Sequence, residues 1–318
     1  FYQINISILK DLGYDVLLSN RIFDSLLFWK YDILFSYFYR YSFFAALLAK
    51  CFGKKTYFTG GIDSLDSDYA SAFNYKIQAL FFKLCYWVAD SCIIVSQSDL
   101  KNIFKVSSLK KKLSYSEHVI NTKLFIADVP KEKIFTSIVW MGDEGNVVRK
   151  GVDKALQIFA ELKKIPEFVD YRFVIIGRKG EGEVLVRSII DKYNLKGSVE
   201  LKGEVSEEDK INLLKQSKYY FQLSLYEGFG LAALEALCAN NIIIHSGKGG
   251  LANPIYKEQL LFDIDNDFDS ELLKLVNKLA CFTPITSYDN LLEYYDIQRR
   301  KDDFEAIIVN GKSNYKLK

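Results

Sequence analysis

The chain has 318 residues, 49% hydrophobic and 26% charged, with 42 Lys and Arg against 40 Asp and Glu for a net charge of +2. That balance is globular and long enough for two domains; it argues against a nucleic-acid tract and leaves room only for a weak membrane-surface contact. Five cysteines without a C-x-x-C pair (Cys51, Cys85, Cys92, Cys238, Cys281) are read as buried free thiols, and two distant histidines, His118 and His245, argue against a zinc site or a Ser-His-Asp triad.

The chain starts at Phe1, and "FYQINISILKDLGYDVLLSN" predicts a helix, a stop at Gly13 and then a strand. An α/β domain usually opens with a strand, so a first strand is expected to precede this stretch. "YDILFSYF" predicts a strand, "YSFFAALLAKCFG" a helix, and "KTYFTGG" a strand running into a glycine turn. The helical "YASAFNYKIQALFFKLCYWVA" leads into the strand "DSCIIVSQS". The most apolar region, 25–53, is cut by Lys30, Asp32 and Arg40, and its longest clean run is about half of the ~20 residues a bilayer needs.

Polar "ADVPKEK" separates this series from a second one. "TSIVWMG" reads as a strand, and "KGVDKALQIFAELKKI" has helical spacing in Val152, Leu156, Phe159 and Leu162. "YRFVIIGRKGEG" is a strand opening into glycines, "EVLVRSIIDKYNL" a helix and "SVELKGEV" a strand. "SEEDKINLLKQS" is a helix with Ser206 as its N-cap and Asp209 three residues on. "YYFQLSL", "GLAALEALCAN" and "NIIIHS" follow as strand, helix and strand, with Gly247, Gly249 and Gly250 after them. Strand–helix alternation predicts parallel sheets covered on both faces. The expected organisation is an N-terminal domain over 1–130, a C-terminal domain over 131–287 and a helical tail over 288–318 packing back on the first domain. The fold class is α/β, two doubly wound, Rossmann-like domains facing a cleft, the first short of its opening strand.

The segment "LSLYEGFGLAALEAL" carries the chemistry. A strand ends, Tyr226 to Gly228 form a loop, and a helix begins near Gly230 and Leu231. A helix N-terminus offers unpaired N–H groups and partial positive charge, so it seats a phosphate. Gly228 and Gly230 let a ligand approach the backbone. Glu235 leans back toward that seat and suits a ribose diol, while Glu227 lies beside it and suits a sugar on the far side of a diphosphate. Glu235 sits among Leu231, Leu234 and Leu237, where a charge requires a partner.

"EGFGLAALEAL" resembles the E-x7-E segment of GT-B nucleotide-sugar glycosyltransferases, especially glycosyltransferase family 4. "RKGVDKALQIFAEL", "FVIIGRKGEG" and "VELKGEVSEEDKINLLKQSKYYFQLS" are similar to further segments of that family, and "ADSCIIVSQSDLKNIF" and "VINTKLF" are fainter matches. The resemblance implies that Lys150 binds the donor diphosphate, Glu227 lies near the donor sugar and Glu235 on the ribose. It also implies a phosphate loop at Phe229, Gly230 and Leu231, and a base flanked by Gly177 and by Lys202, Gly203 and Val205. Two features depart from the family: the usual G-R before the lysine is absent, with Arg149 the nearest substitute, and "YFTGGIDS" lacks the first domain's histidine. Asp63 in that loop is a candidate for acceptor or sugar contact, or a turn aspartate; His118 is read as structural.

The expected function is transfer of a sugar from a nucleotide diphosphate-sugar, UDP- or GDP-linked, to a hydroxyl of a glycan or lipid-linked acceptor in surface polysaccharide synthesis. The resemblance implies retention of configuration. Fixed cations and backbone dipoles stand in for a metal, so neither cofactor nor metal is expected. The expected location is the cytoplasm, with a peripheral contact at the inner membrane surface and no nucleic-acid partner. Two alternatives stand beside it: a catalytically inactive scaffold on the same fold, and a dinucleotide-dependent oxidoreductase, for which "GRKGEGE" is a poor match.

Overall fold

The computed structural model describes residues 2–60, 62–67, 69–108, 110–126, 129–282 and 289–311. The chain divides into two compact units, Phe1–Ile120 with Tyr294–Lys318, and Asn121–Glu293.

The first unit runs α1 (Tyr2–Asp11), β1 (Ile33–Tyr37), α2 (Tyr39–Cys51), β2 (Lys55–Thr59), α3 (Ala72–Val88), β3 (Ser91–Ile94), α4 (Gln97–Val106) and β4 (Leu113–Tyr115). Its strands are parallel in the order β1-β2-β3-β4. Sequential parallel neighbours joined by right-handed crossovers put their helices on one face. Accordingly Phe58, Cys92 and Ile94 point to one side and meet Tyr39 and Phe43 of α2 and Phe82 and Cys85 of α3. Tyr57 and Ile93, one residue out of phase, point to the other side and meet Ile8 of α1.

Residues 14–20 are not a strand, against the expectation from "YDVLLSN". Tyr14 packs against the cluster around Ile8, but Leu17 and Leu18 are 71% and 66% exposed, so the run is not paired or covered as a strand would be. Cys51 and Cys281 are exposed and only Cys85, Cys92 and Cys238 are buried, which corrects the reading of five buried thiols. No described helix is long and apolar enough to cross a membrane.

The second unit contains β5 (Glu132–Ile138), α5 (Glu144–Arg149), α6 (Val152–Leu162), β6 (Arg172–Ile176), α7 (Glu183–Lys192) and β7 (Val199–Gly203). It continues with α8 (Glu207–Gln216), β8 (Ser217–Gln222), α9 (Leu231–Cys238), β9 (Ile242–His245), β10 (Leu260–Leu261) and α10 (Phe268–Cys281). The six strands are parallel in the order β10-β9-β8-β5-β6-β7. The chain winds outward from β5 to β7, then returns and winds the other way from β8. The order therefore reverses between β5 and β8, and the crevice beyond the carboxyl ends of those strands is where such sheets bind ligands. Phe135, at the centre of the core, stacks on Tyr219 and Phe221 across this seam.

The units divide at Ile120/Asn121, not at the 130/131 boundary read from the sequence. The polar "VPKEK" is anchored rather than free: Lys131 donates to the carbonyls of Leu214 and Ala239, and β5 starts at Glu132. Polar composition marked a connection there, not a boundary.

The tail forms α11 (Asp289–Tyr294) and α12 (Ile297–Phe304), then a π-helical turn, Glu305–Val309. Phe304, Ile307 and Ile308 join Ile8, Tyr57 and Ile93 in one apolar cluster. Arg300 is wholly buried and donates to Asn5 Oδ1 at 2.8 Å and to the carbonyls of Ser116 and Glu117 at 2.6 and 2.7 Å. Residues 283–288 and 312–318, part of the expected tail and its approach, lie outside the described residues.

Candidate functional site

Two loops leave the sheet at its reversal, one after β5 and one after β8. The first carries α5, whose N-cap Asp143 accepts from the Asn146 N–H at 2.6 Å, and ends at Lys150. Gly151 then turns the chain into α6 at φ +68, and a Cβ there would stand 2.0 Å from the Leu223 carbonyl oxygen. Only glycine fits this position. The two loops are also joined by the Leu225 N–H donating to the Arg149 carbonyl at 2.8 Å.

This close approach sets Lys150 against Glu227. The Lys150 Nζ donates to Glu227 Oε2 at 2.7 Å, with side chains 22% and 16% exposed. The same oxygen accepts from Gln222 Nε2 at 3.1 Å and from Ser224 Oγ at 3.2 Å. Behind them the Tyr220 hydroxyl donates to Gln222 Oε1 at 3.2 Å and accepts from the Ile138 N–H at 3.3 Å. Burial, with the charges of Glu235 and Glu227, pushes the Tyr220 hydroxyl well above its usual value, so it stays a neutral link. A carboxylate held by three donors through one oxygen keeps Oε1 for a ligand.

α9 begins beside this pair. Gly230 is its N-cap, at φ 88, and no side chain caps the helix or places an acid in its first turn. A Cβ on Gly230 would lie 3.5 Å from Glu227 Cγ, so the helix start and the carboxylate are neighbours. The loop is held from below. The Gly250 N–H donates to the Glu227 carbonyl, and a Cβ at Gly249 would stand 2.2 Å from that oxygen. Tyr256 OH donates to the Gly230 carbonyl at 3.3 Å.

Glu235 lies on the next turn of α9 and is 16% exposed. Its required partner is Lys210 of α8, whose Nζ reaches both carboxylate oxygens at 2.9 Å and Glu207 at 2.7 Å. Burial pushes the Glu235 carboxyl above its ordinary value, and Lys210 offsets part of that shift.

The remaining candidates stand as follows. Arg149 closes α5 and its guanidinium binds Asn146 Oδ1 at 3.2 and 2.7 Å, so in this state it is tied to its own helix. Gly177, at φ 131, ends β6; its N–H donates to the Gly203 carbonyl at 2.8 Å, and a Cβ would meet the Val139 carbonyl at 2.0 Å. Lys202 lies at the exposed end of β7, 3.9 Å from Glu200, while Val205 packs on the small cluster of Ile134, Val174, Ile176 and Leu213. Gly228 and Leu231 are half-buried and Phe229 is 8% exposed, so the loop backbone rather than the phenyl ring is what a ligand can reach. Asp63 opens a 3₁₀ turn after β2 in the first unit, between buried Ile62 and Leu65; Gly61 lies outside the described residues. His118 is 5% exposed in the first unit, and burial, with Arg300 nearby, holds it well below its usual value.

Sequence reasoning missed Gln222, Ser224 and Lys210. Gln222 and Ser224 hold Glu227 from five and three residues away, and Lys210 reaches Glu235 from 25 residues away.

Residues 145–279 match the family described as Glycosyl transferases group 1. The match lies wholly within the second unit. The chain is 32% identical over 163 residues to a GDP-mannose:cellobiosyl-diphosphopolyprenol alpha-mannosyltransferase of Xanthomonas oryzae, covering 45% of this chain and 40% of that protein. It is 30% identical over 105 residues to a component of the human phosphatidylinositol N-acetylglucosaminyltransferase, covering 33% and 21%. The chain thus matches less than half the length of either relative. Among solved structures, Anabaena Alr3699/HepE in complex with UDP-glucose superposes with a TM-score of 0.72 at 12% identity, over 90% of this chain and 81% of that one. The pneumococcal O-GlcNAc transferase GtfA in complex with UDP and GlcNAc gives 0.65 at 14% identity, over 93% and 61%. The chain therefore has the GT-B type of fold, two Rossmann-like units, and the group 1 match spans the Lys150–Glu227 pair and the start of α9.

Proposed function

We propose that this chain is a glycosyltransferase that moves a sugar from a nucleotide diphosphate-sugar to a hydroxyl of a glycan or lipid-linked acceptor, with retention and without a metal. The observation that carries the reading is the Lys150–Glu227 pair set beside the uncapped start of α9, where the sheet order reverses. As the anomeric C–O bond breaks, negative charge grows on the leaving diphosphate. Lys150 has three N–H donors and Glu227 occupies one, so two remain for phosphate oxygens. The first N–H groups of α9 supply the rest, and such donors act most strongly when fixed in advance.

Glu227 then faces the donor sugar with its second oxygen, and Glu235 the ribose, while Gly177, Lys202, Gly203 and Val205 border the base. Arg149 is the candidate second cation for the diphosphate, once it releases Asn146. Asp63 is the first unit's candidate for the acceptor. The named relatives and neighbours use or hold GDP-mannose, UDP and UDP-glucose, which supports a UDP- or GDP-sugar as donor. A role in surface polysaccharide synthesis, on the cytoplasmic side and at the membrane surface, belongs to the same reading.

A thermal-shift panel of UDP-, GDP-, ADP- and CMP-sugars tests it, since a ligand at 100 times its Kd stabilises the folded state by about 2.7 kcal/mol. One sugar nucleotide should raise the melting temperature well above the others, and transfer should follow with that donor. If none raises it, the chain is not a transferase of this kind.

A further inference from the structure

The outer face of α3 has no covering partner among the described residues. Phe73, Lys76, Leu80, Lys83 and Trp87 are all exposed, the three apolar ones at 70%, 55% and 72%. Their spacing alternates three and four residues, so at 100° per residue they share an arc of about 80° along one side of the helix. The inner side of the same helix is committed to the core through Phe82, Cys85 and Val88.

Chain topology enlarges the surface. α2 and α3 lie on the same face of the first sheet and touch through Phe43 and Phe81, whose rings are 5.9 Å apart. The outward residues of α2 include Tyr41 and Phe44, 78% and 56% exposed. Neither helix contains an Asp or Glu, and together they carry Arg40, Lys50, Lys76 and Lys83. Lys50 is paired with Asp90 at 2.9 Å, whereas Lys112 adds a cation at the end of α3, its Nζ donating to the Trp87 carbonyl at 2.8 Å.

We infer that this α2–α3 face docks on an anionic lipid bilayer, with α3 lying in the plane of the surface. An interfacial helix places large apolar side chains in the headgroup–acyl boundary and lysines against anionic headgroups. Phe73, Leu80 and Trp87 supply the first, and Lys76 and Lys83 the second. Trp87 suits the headgroup level, where an amphipathic ring is half in and half out of the apolar region. A second copy of the chain fits less well, because Lys76 and Lys83 of each copy would oppose like charges. The inference rests on the membrane-surface location proposed above and names the face that makes it; the surface shares no residue with the Lys150–Glu227 site, so vesicle binding and sugar transfer fail separately.

The test is sedimentation of the full chain with vesicles of phosphatidylcholine alone and with vesicles of equal parts phosphatidylcholine and phosphatidylglycerol. Binding should require phosphatidylglycerol and weaken when salt is raised to about 1 M, where the Debye length is about 3 Å. Lys76→Glu with Lys83→Glu should weaken it by at least about 30-fold. Phe73→Ser with Leu80→Ser and Trp87→Ser should abolish it, while both variants melt and bind nucleotide as the parent does. With Trp29→Phe and Trp140→Phe leaving Trp87 as the sole tryptophan, its selectively excited emission should shift to the blue on adding the anionic vesicles. The inference is overturned if neither vesicle sediments the chain, if both do so equally, or if the variants bind as the parent does. It is also overturned if ultracentrifugation shows a dimer that Leu80→Ser with Trp87→Ser dissociates, since a second copy then covers the face.

Discussion

Lys150 and Glu227 are 77 residues apart in the chain, and their side chains meet at 2.7 Å. Each leaves the sheet on a different side of its reversal, and Gly151 allows the two loops to close to that distance. The cation and the anion thereby hold one another at the start of α9 before any ligand arrives. Removing Glu227 frees the Lys150 ammonium for phosphate, whereas removing Lys150 leaves a half-buried carboxylate facing the same seat.

The two glutamates should fail differently. Glu227→Ala should leave the affinity for UDP or GDP within a few-fold of the parent, or raise it, and reduce turnover instead. Glu235→Ala removes the acceptor, so nucleotide affinity should fall roughly 10- to 150-fold through the ribose, while Glu235→Gln, which keeps a neutral acceptor, should hold the melting temperature and lose less affinity. Calorimetry and melting curves check both. If Glu235→Gln lowers the melting temperature and leaves nucleotide affinity unchanged, the Lys210–Glu235 pair is structural only.

Donor binding should not need a divalent ion. Nucleoside diphosphate affinity in EDTA and in magnesium should agree. A tenfold loss in EDTA, about 1.4 kcal/mol, contradicts the assignment of the diphosphate charge to Lys150 and the helix start.

Two glycines with the same backbone sign should respond unequally. Gly151→Ala meets the Leu223 carbonyl at 2.0 Å, while Gly197, at φ +86, has nothing within 4 Å of an added Cβ. Gly197→Ala should carry only the left-handed backbone cost of about 1–2 kcal/mol, a few degrees in Tm. Gly151→Ala should lower Tm at least twice as far and reduce transfer, because it pushes the Lys150 and Glu227 loops apart. Equal shifts in the two variants would show that the loops give way without consequence.

Acid should weaken the second unit through His245. Burial drives this imidazole down from 6.5 to about 4, and its Nδ1 accepts from the Gly247 N–H at 3.2 Å. The folded-state value is depressed, so between pH 6.5 and 4 the unfolded chain binds a proton that the folded chain refuses. Stability therefore falls as pH falls through that window, by up to about 3 kcal/mol. Melting curves from pH 7 to 4.5 should show a shallower decline for His245→Gln than for the parent. Identical declines place the acid sensitivity elsewhere.

Much of this was legible because it is local. β6 and β9 are apolar runs that lead into glycine, at Gly177 and Gly247. Ser206 caps α8, with the Asp209 N–H donating to it at 3.0 Å, as the spacing predicted. Gly230 and Leu231 mark the start of α9 as read. What was not legible depends on which side chains the folded backbone turns toward one another. The run at 14–20 has a strand's composition, yet Leu17 and Leu18 stay largely exposed and pair with no strand. Glu235 was read as a charge in need of a partner, and no local pattern named Lys210, 25 residues away. Gln222 and Ser224 are ordinary polar residues at a strand end until the fold brings Glu227 onto them.

The most direct measurement of the central claim is titration calorimetry of the best-binding nucleoside diphosphate with the parent and with Lys150→Ala. The loss of a charged hydrogen bond to phosphate, about 1.5–3 kcal/mol, should weaken binding roughly 10- to 150-fold. The double variant Lys150→Ala with Glu227→Ala, which leaves no unpaired carboxylate at the seat, should bind no better than a few-fold above the single one. If Lys150→Ala binds the nucleotide as tightly as the parent, the diphosphate does not sit where β5 and β8 part, and the account of this site is wrong.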